Sequence, residues 1–324
     1  MKHNLTVTIF LIVFFILSQA VGLGLISKDA KISKDANGTI TVTHGDTSVG
    51  SRPETAGFGS FLYLIIGVAI GTILVLVLMR FQKSNLWRLW FFLAVWIAVS
   101  ISLGVFIKYQ VFFAYDVSIV IALLLALWKV FKPNIFIHNI TEVLMYAGIA
   151  VLLVPIFDVF WSIMLLLAIS VYDMYAVWKS KHMIKMAKFQ TKSNIFAGLL
   201  IPYKVKPENL KSADKSSSIF DRKTEKKTSV KNVSAKASKS KTKTAILGGG
   251  DVAFPLIFAG TVMEHLMTLG LTKSQALLHS SIIVLTTTIA LALLFLYAKK
   301  DKFYPAMPFV TAGCLIGWVI VLLI

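Results

Sequence analysis

The sequence predicts an all-α, polytopic membrane protein with about nine transmembrane helices, and three observations carry that expectation. First, 57% of the 324 residues are hydrophobic and only 15% are charged, against about 25% charged in a soluble domain. Second, uncharged apolar runs recur along the chain, most of them about 20 residues long and able to cross a hydrocarbon core of about 30 Å as a helix. Third, backbone inside a bilayer must satisfy its own hydrogen bonds, which leaves helices rather than open strands for such runs.

The first run, Leu5–Ile26, follows Lys2 and His3 and contains Ser18-Gln19-Ala20, a triplet like the small-residue end of a signal peptide. The run continues through Leu25, too long for a signal core, so an uncleaved first helix is expected. Ser27–Gly57 is polar and reads as an exposed loop with room for a small hairpin; Asn37-Gly38-Thr39 is a glycosylation triplet of the kind that chance supplies often. Spans follow at Phe58–Met79, Leu86–Ile107 and Val111–Trp128. Ile140–Ile156 is the shortest and carries Glu142, and Val159–Trp178 is the sixth.

Between Lys179 and Thr244 the chain holds 18 Lys and Arg against 4 Asp and Glu, so most of the formal net charge of +18 belongs to one loop. Lys204–Thr244 is too polar to bury a core and is expected to be disordered. Beyond it lie Ala245–Met267, Ala276–Ala298 and Phe303–Ile324. The domain reading is a six-helix part over 1–179, a basic cytoplasmic loop over 180–244 and a three-helix part over 245–324. A basic loop beside a bilayer obeys the positive-inside rule and meets anionic membrane lipid. Without a recognisable binding module it does not point to nucleic acid. The short loops sort the same way, with the N-terminus inside and, after nine spans, the C-terminus outside. Cys314 is the sole cysteine, so no intrachain disulfide is available.

Acids inside spanning helices are costly and mark function. Asp173 lies six residues before Lys179, about 9 Å along a helix, and Asp251 eight residues after Lys243, about 12 Å if that stretch is helical. Two helices that meet the same face thus carry carboxylates at similar depth. Adjacent carboxylates in a low dielectric share a proton, and one can then activate a water while the other protonates a carbonyl oxygen. The plainer reading is a pair of buried acids hydrogen-bonded to Tyr, Ser or backbone. Gly248-Gly249-Gly250 precedes Asp251, either as backbone free to leave the helix or as a packing face. A phosphate loop is excluded, because no Lys-Ser or Lys-Thr follows. Tyr304-Pro305-Ala306-Met307-Pro308 opens the last span with two prolines, either an ordinary helix start or an irregular wall beside the acids.

In this order, Tyr172-Asp173, Gly248-Gly249-Gly250-Asp251 and Pro305-Ala306-Met307 resemble the motifs of the presenilin and signal peptide peptidase family of intramembrane aspartyl proteases, and most resemble the archaeal presenilin homologues. The resemblance implies a presenilin-like fold and a catalytic pair of Asp173 and Asp251. Tyr172, Gly248, Gly249, Gly250, Pro305, Ala306 and Met307 would then shape the active site and substrate binding. It implies transmembrane-helix substrates, no metal, no organic cofactor and no obligate partner subunit, with oligomers allowed, and a home in the cell membrane. The chain departs at Met307, where the family has Leu, and at Gly249, where relatives often carry a larger residue, which implies a looser turn.

A substrate helix must unwind before its carbonyl is attacked. Gly248–Gly250, Pro305–Pro308 or the apolar run Ile195–Tyr203 could pair with an extended substrate, although the last also reads as an interfacial segment. Asp116 and Glu142 are expected near segment ends, Asp158 in the turn before the sixth span, and Glu264 with His265 as a solvated pair. Rival readings are a proton-coupled transporter using paired acids, disfavoured by the lack of an internal repeat, a silent relative that binds membrane proteins, and a prepilin-type peptidase, which lacks the late Pro-Ala-Leu-like motif.

Overall fold

In the computed structural model, residues 5–35, 38–81, 84–107, 110–111, 115–132, 134–180, 196–204, 242–298 and 304–324 are described. Asn37, loop residues 205–241 and Lys299, Lys300 and Lys302 fall outside them. Nine α-helices run through the described residues: α1 Leu5–Asp29, α2 Phe58–Arg80, α3 Ser84–Gly104, α4 Val117–Phe131, α5 Ile135–Leu153, α6 Val159–Tyr175, α7 Gly249–Thr268, α8 Lys273–Tyr297 and α9 Met307–Leu323. Six are long and apolar enough to cross a bilayer: α1, α2, α3, α5, α6 and α8. The helices α4 and α9 are apolar but shorter, and α7 carries Asp251, Glu264 and His265 among its 20 residues.

Short antiparallel pairs join the helices. The loop after α1 holds the hairpin β1 (Lys31–Lys34) and β2 (Ile40–Thr43), and β3 (Gln110–Val111) pairs with β4 (Tyr115–Asp116) before α4. The longest is β5 (Gly198–Lys204) with β6 (Thr242–Gly248), in register from Gly198 opposite Gly248 to Lys204 opposite Thr242. The sequence had placed residues 245–248 in the seventh helix. They are extended instead, and α7 begins at Gly249. The depth of Asp251 is therefore set by a strand and its turn, not by continuous helix from Lys243.

Helix packing uses small residues, as expected where lipid is as apolar as the side chains it would replace. In α5, Gly148 meets α3 so closely that a Cβ would fall 1.9 Å from the Ala98 carbonyl oxygen. Gly313 and Gly317 of α9 lie against the backbone of α8 at Thr287 and Ile283. Hydroxyls add polar links: Ser170 of α6 and Thr311 of α9 are hydrogen-bonded at 2.7 Å. Helix α1 is packed into the bundle against α5, α7 and α8. Its Gln19 amide donates to the Val252 carbonyl at 2.9 Å, so Ser18 and Gln19 of the cleavage-like triplet are buried in the bundle while Ala20 faces outward.

Candidate active site

Asp173 and Asp251 come from helices that pack on each other. Asp173 lies in the last turn of α6, 7% exposed. After Tyr175 the helix widens into a π-turn over Ala176–Ser180, a distortion that often accompanies functional sites. Asp251 lies in the first turn of α7, crowded by protein yet with an accessible edge. The two are near enough for the charge of Asp173 to act on Asp251.

The Pro-Ala-Met segment joins them through its backbone. Ala306 caps α9, and the Met307 amide donates to Asp173 Oδ2 at 3.1 Å. A helix leaves its first amides without internal partners and carries partial positive charge there, so a carboxylate is a natural acceptor. Pro308, at the second helical position, has no N–H to be orphaned. Pro305 and Met307 are buried beside this contact, and Ala306 is partly buried.

The glycine triplet serves close approach rather than unusual backbone angles. Gly248 caps α7 at φ −62° and ψ 141°, which any residue can adopt. A Cβ there would fall 3.0 Å from Asp251 Oδ2, and one on Gly249 would fall 3.0 Å from the Tyr146 hydroxyl oxygen. The expected looseness at Gly249 is absent because Tyr146 fills the space. Tyr172 also departs from expectation: it is 46% exposed. Neighbours on a helix point about 100° apart, so turning Asp173 toward α7 and α9 turns Tyr172 outward.

Other acids are placed differently from the sequence reading. Glu142 is not near a segment end: it is fully buried within α5, 2.5 Å from Lys129 Nζ of α4. Lys129 falls just past the expected fourth span, Val111–Trp128, yet it is 4% exposed within α4. Glu264 and His265 are not a solvated pair, since Glu264 faces His44 at 3.1 Å. Asp158 does cap the turn into α6, accepting from the Trp161 amide at 2.8 Å.

No local signal marks the clamp on β5. Asn139 of α5 accepts from the Leu200 amide at 3.0 Å and donates to the Leu200 carbonyl at 2.9 Å, while His138 Nε2 sits 2.8 Å from the Gly198 carbonyl. Residues 198–203 of the run ending at Tyr203 are thus a strand paired within this chain. A polar cavity of about 360 Å³ lies elsewhere, lined by Asp29, Asp46, Arg52 and Asp116 among others, and neither Asp173 nor Asp251 lines it. Among the described residues no cluster of His, Cys, Asp or Glu could hold a metal ion.

Comparison with known proteins agrees with this layout. No curated protein matches the chain in sequence. Two solved structures of a presenilin family intramembrane aspartate protease, in C222 and P2 space groups, share its fold. The first has TM-score 0.57 and 14% identity, covering 96% of this chain and 94% of the other. The second has TM-score 0.58 and 15% identity, covering 97% and 96%. The family described as signal-peptide peptidase, presenilin aspartyl protease matches residues 37–324. The chain therefore belongs to the signal-peptide peptidase and presenilin family and is an aspartic intramembrane protease.

Proposed function

We propose that Asp173 and Asp251 form a catalytic dyad that hydrolyses peptide bonds of transmembrane-helix substrates with an activated water. The observation that carries this is the convergence of three separate segments. Asp173 of α6 takes the amide of Met307 at the start of α9, and Asp251 stands within electrostatic reach on α7. The amide contact orients Asp173 through backbone, so it survives the replacement of the family's Leu by Met307. One carboxylate removes a proton from water as the other protonates the scissile carbonyl oxygen, and the pair titrates as a unit.

The substrate must present an unwound backbone. The clamp by Asn139 and His138 occupies the outer edge of β5, which leaves the far edge of β6 for an added strand. Strand β6 runs directly into Gly248 and the first turn of α7, so a substrate segment paired there is led toward Asp251. The orientation that fits the charge pattern has the N-terminus inside, with membrane lipid and spanning substrates as the partners in reach.

The test uses the full chain in lipid with a single-span substrate, comparing wild type, Asp173→Asn and Asp251→Asn. Wild type should cut while both folded variants stay silent, since asparagine keeps the size and loses the ionisable proton. Cutting at the wild-type rate by either variant would show the assignment to be wrong.

A further inference from the structure

Beside the start of α7 lies a chain of buried polar side chains that hydrolysis by the two aspartates does not use. Lys129 in the last turn of α4 is 4% exposed, and Glu142 of α5 is fully buried. Lys129 Nζ bonds Glu142 Oε1 at 2.5 Å, and the Tyr146 hydroxyl donates to Glu142 Oε2. Removing a lysine and a glutamate from water costs several kcal/mol per ion unless their bonds are well satisfied. Here both carboxylate oxygens are engaged. Tyr146 follows Glu142 by four residues, so both lie on one face of α5, and that helix packs on α7.

The end of this chain is the turn that carries Asp251. A Cβ on Gly249 would meet the Tyr146 hydroxyl oxygen at 3.0 Å, Cε1 at 3.1 Å and Cζ at 3.4 Å. Tyr146 is 1% exposed and its hydroxyl is tied to Glu142, so the ring cannot swing aside. Gly249 stands two residues before Asp251. A wall fixed against Gly249 therefore sets the direction in which the first turn of α7 leaves β6, and with it the place of the Asp251 carboxyl.

We infer that Tyr146, braced by the buried Lys129–Glu142 pair, is a positioning residue for Asp251, its ring standing where a side chain at position 249 would otherwise fill the turn. The inference rests on the dyad reading above. A misplacement of about 1 Å at a reacting group can cost about a hundredfold in rate, so a loosened ring reads out in kcat. Substrate docking along β6 is left in place, and KM holds.

The experiment measures kcat and KM for the full chain in lipid with a single-span substrate, normalised to folded protein. Its variants are Tyr146→Phe, Gly249→Ala, their double mutant and Asp251→Asn. Tyr146→Phe should lower kcat about tenfold with KM within about twofold, and Gly249→Ala should lower kcat by at least as much, because the braced ring cannot retreat. Added to Tyr146→Phe, Gly249→Ala should cost less than about threefold, because a ring freed from Glu142 can yield. Wild-type kcat in Tyr146→Phe, or two losses that simply multiply, overturns the positioning role. Should Tyr146→Phe fail to fold, Gly249→Ala alone decides: a kcat loss at constant KM supports the inference and full activity overturns it. An Asp251→Asn that cuts like wild type sinks the dyad reading and this inference with it. A silent Asp251→Asn beside a fully active Tyr146→Phe sinks only the inference.

Discussion

His44 should make the stability of this protein depend on alkaline pH. It sits in the loop after β2, with Nδ1 2.9 Å from Asp29 at the end of α1 and Nε2 3.1 Å from Glu264 of α7. Arg52 Nη2 also holds Asp29, at 2.5 Å. Burial alone would lower the pKa of the imidazole, but its hydrogen bond to Asp29, its ion-pair contact with Glu264 and the charges of both acids outweigh this and raise it from 6.5 to about 9. The folded state thus binds this proton more tightly than the unfolded chain does. Its stabilisation is complete below about 6.5 and is lost as pH rises through about 9. That rise corresponds to about 3 kcal/mol at most, and solvent at the loop edge screens it to about 1–2 kcal/mol. Thermal unfolding in detergent micelles, followed by tryptophan fluorescence, would compare wild type with His44→Gln from about pH 7 to about pH 10. The stability gap between them should narrow by about 1–2 kcal/mol over that range. A gap that stays constant, or widens, would refute the argument that a protonated His44 ties α1 to α7.

Three further outcomes follow from the packing. Gly148→Ala would drive a Cβ to 1.9 Å from the Ala98 carbonyl oxygen and 2.8 Å from its carbon; parting α3 from α5 should cost about 3 kcal/mol or more, seen as a lowered melting temperature. Asn139→Ala removes both bonds to Leu200, so amide exchange in β5 should quicken by the equivalent of about 1–3 kcal/mol, and KM should rise if β6 is the docking edge. Met307→Leu keeps volume and the amide that bonds Asp173, so kcat/KM should stay within about threefold, whereas Met307→Pro removes that amide and should abolish cleavage. Steady-state kinetics on one substrate checks both.

Much of this protein was legible in its sequence, because bilayer physics is written residue by residue. Apolar runs long enough to span must be helices, and each of the nine expected segments overlaps an observed helix, although the fourth helix starts at Val117 rather than Val111 and the fifth at Ile135 rather than Ile140. The order Tyr172-Asp173, Gly248–Asp251, Pro305–Met307 carries the resemblance to the family the chain belongs to. The starts of the fourth and seventh segments are strand instead, at Val111 and at residues 245–248. Residues 245–248 are as apolar as a helix start, and only their pairing with β5 across a long stretch of chain makes them a strand. Partners distant in sequence leave no local signal.

The same limit hid the groups around the aspartates. The expected fourth span stops at Trp128, short of Lys129, and Glu142 is expected near a segment end, because each alone is costly inside apolar helix. Their pairing across the α4–α5 turn is what makes burial tolerable. Tyr146 looked like any aromatic in a span, and Gly249 like a loosened turn, until packing of α5 on α7 set one against the other. The helical identity of most of each span, and the short list of candidate acids, can be read along the chain, since both follow from the cost of polarity in lipid. What holds those acids in place emerges on folding, because it depends on which distant side chains and amides converge on them.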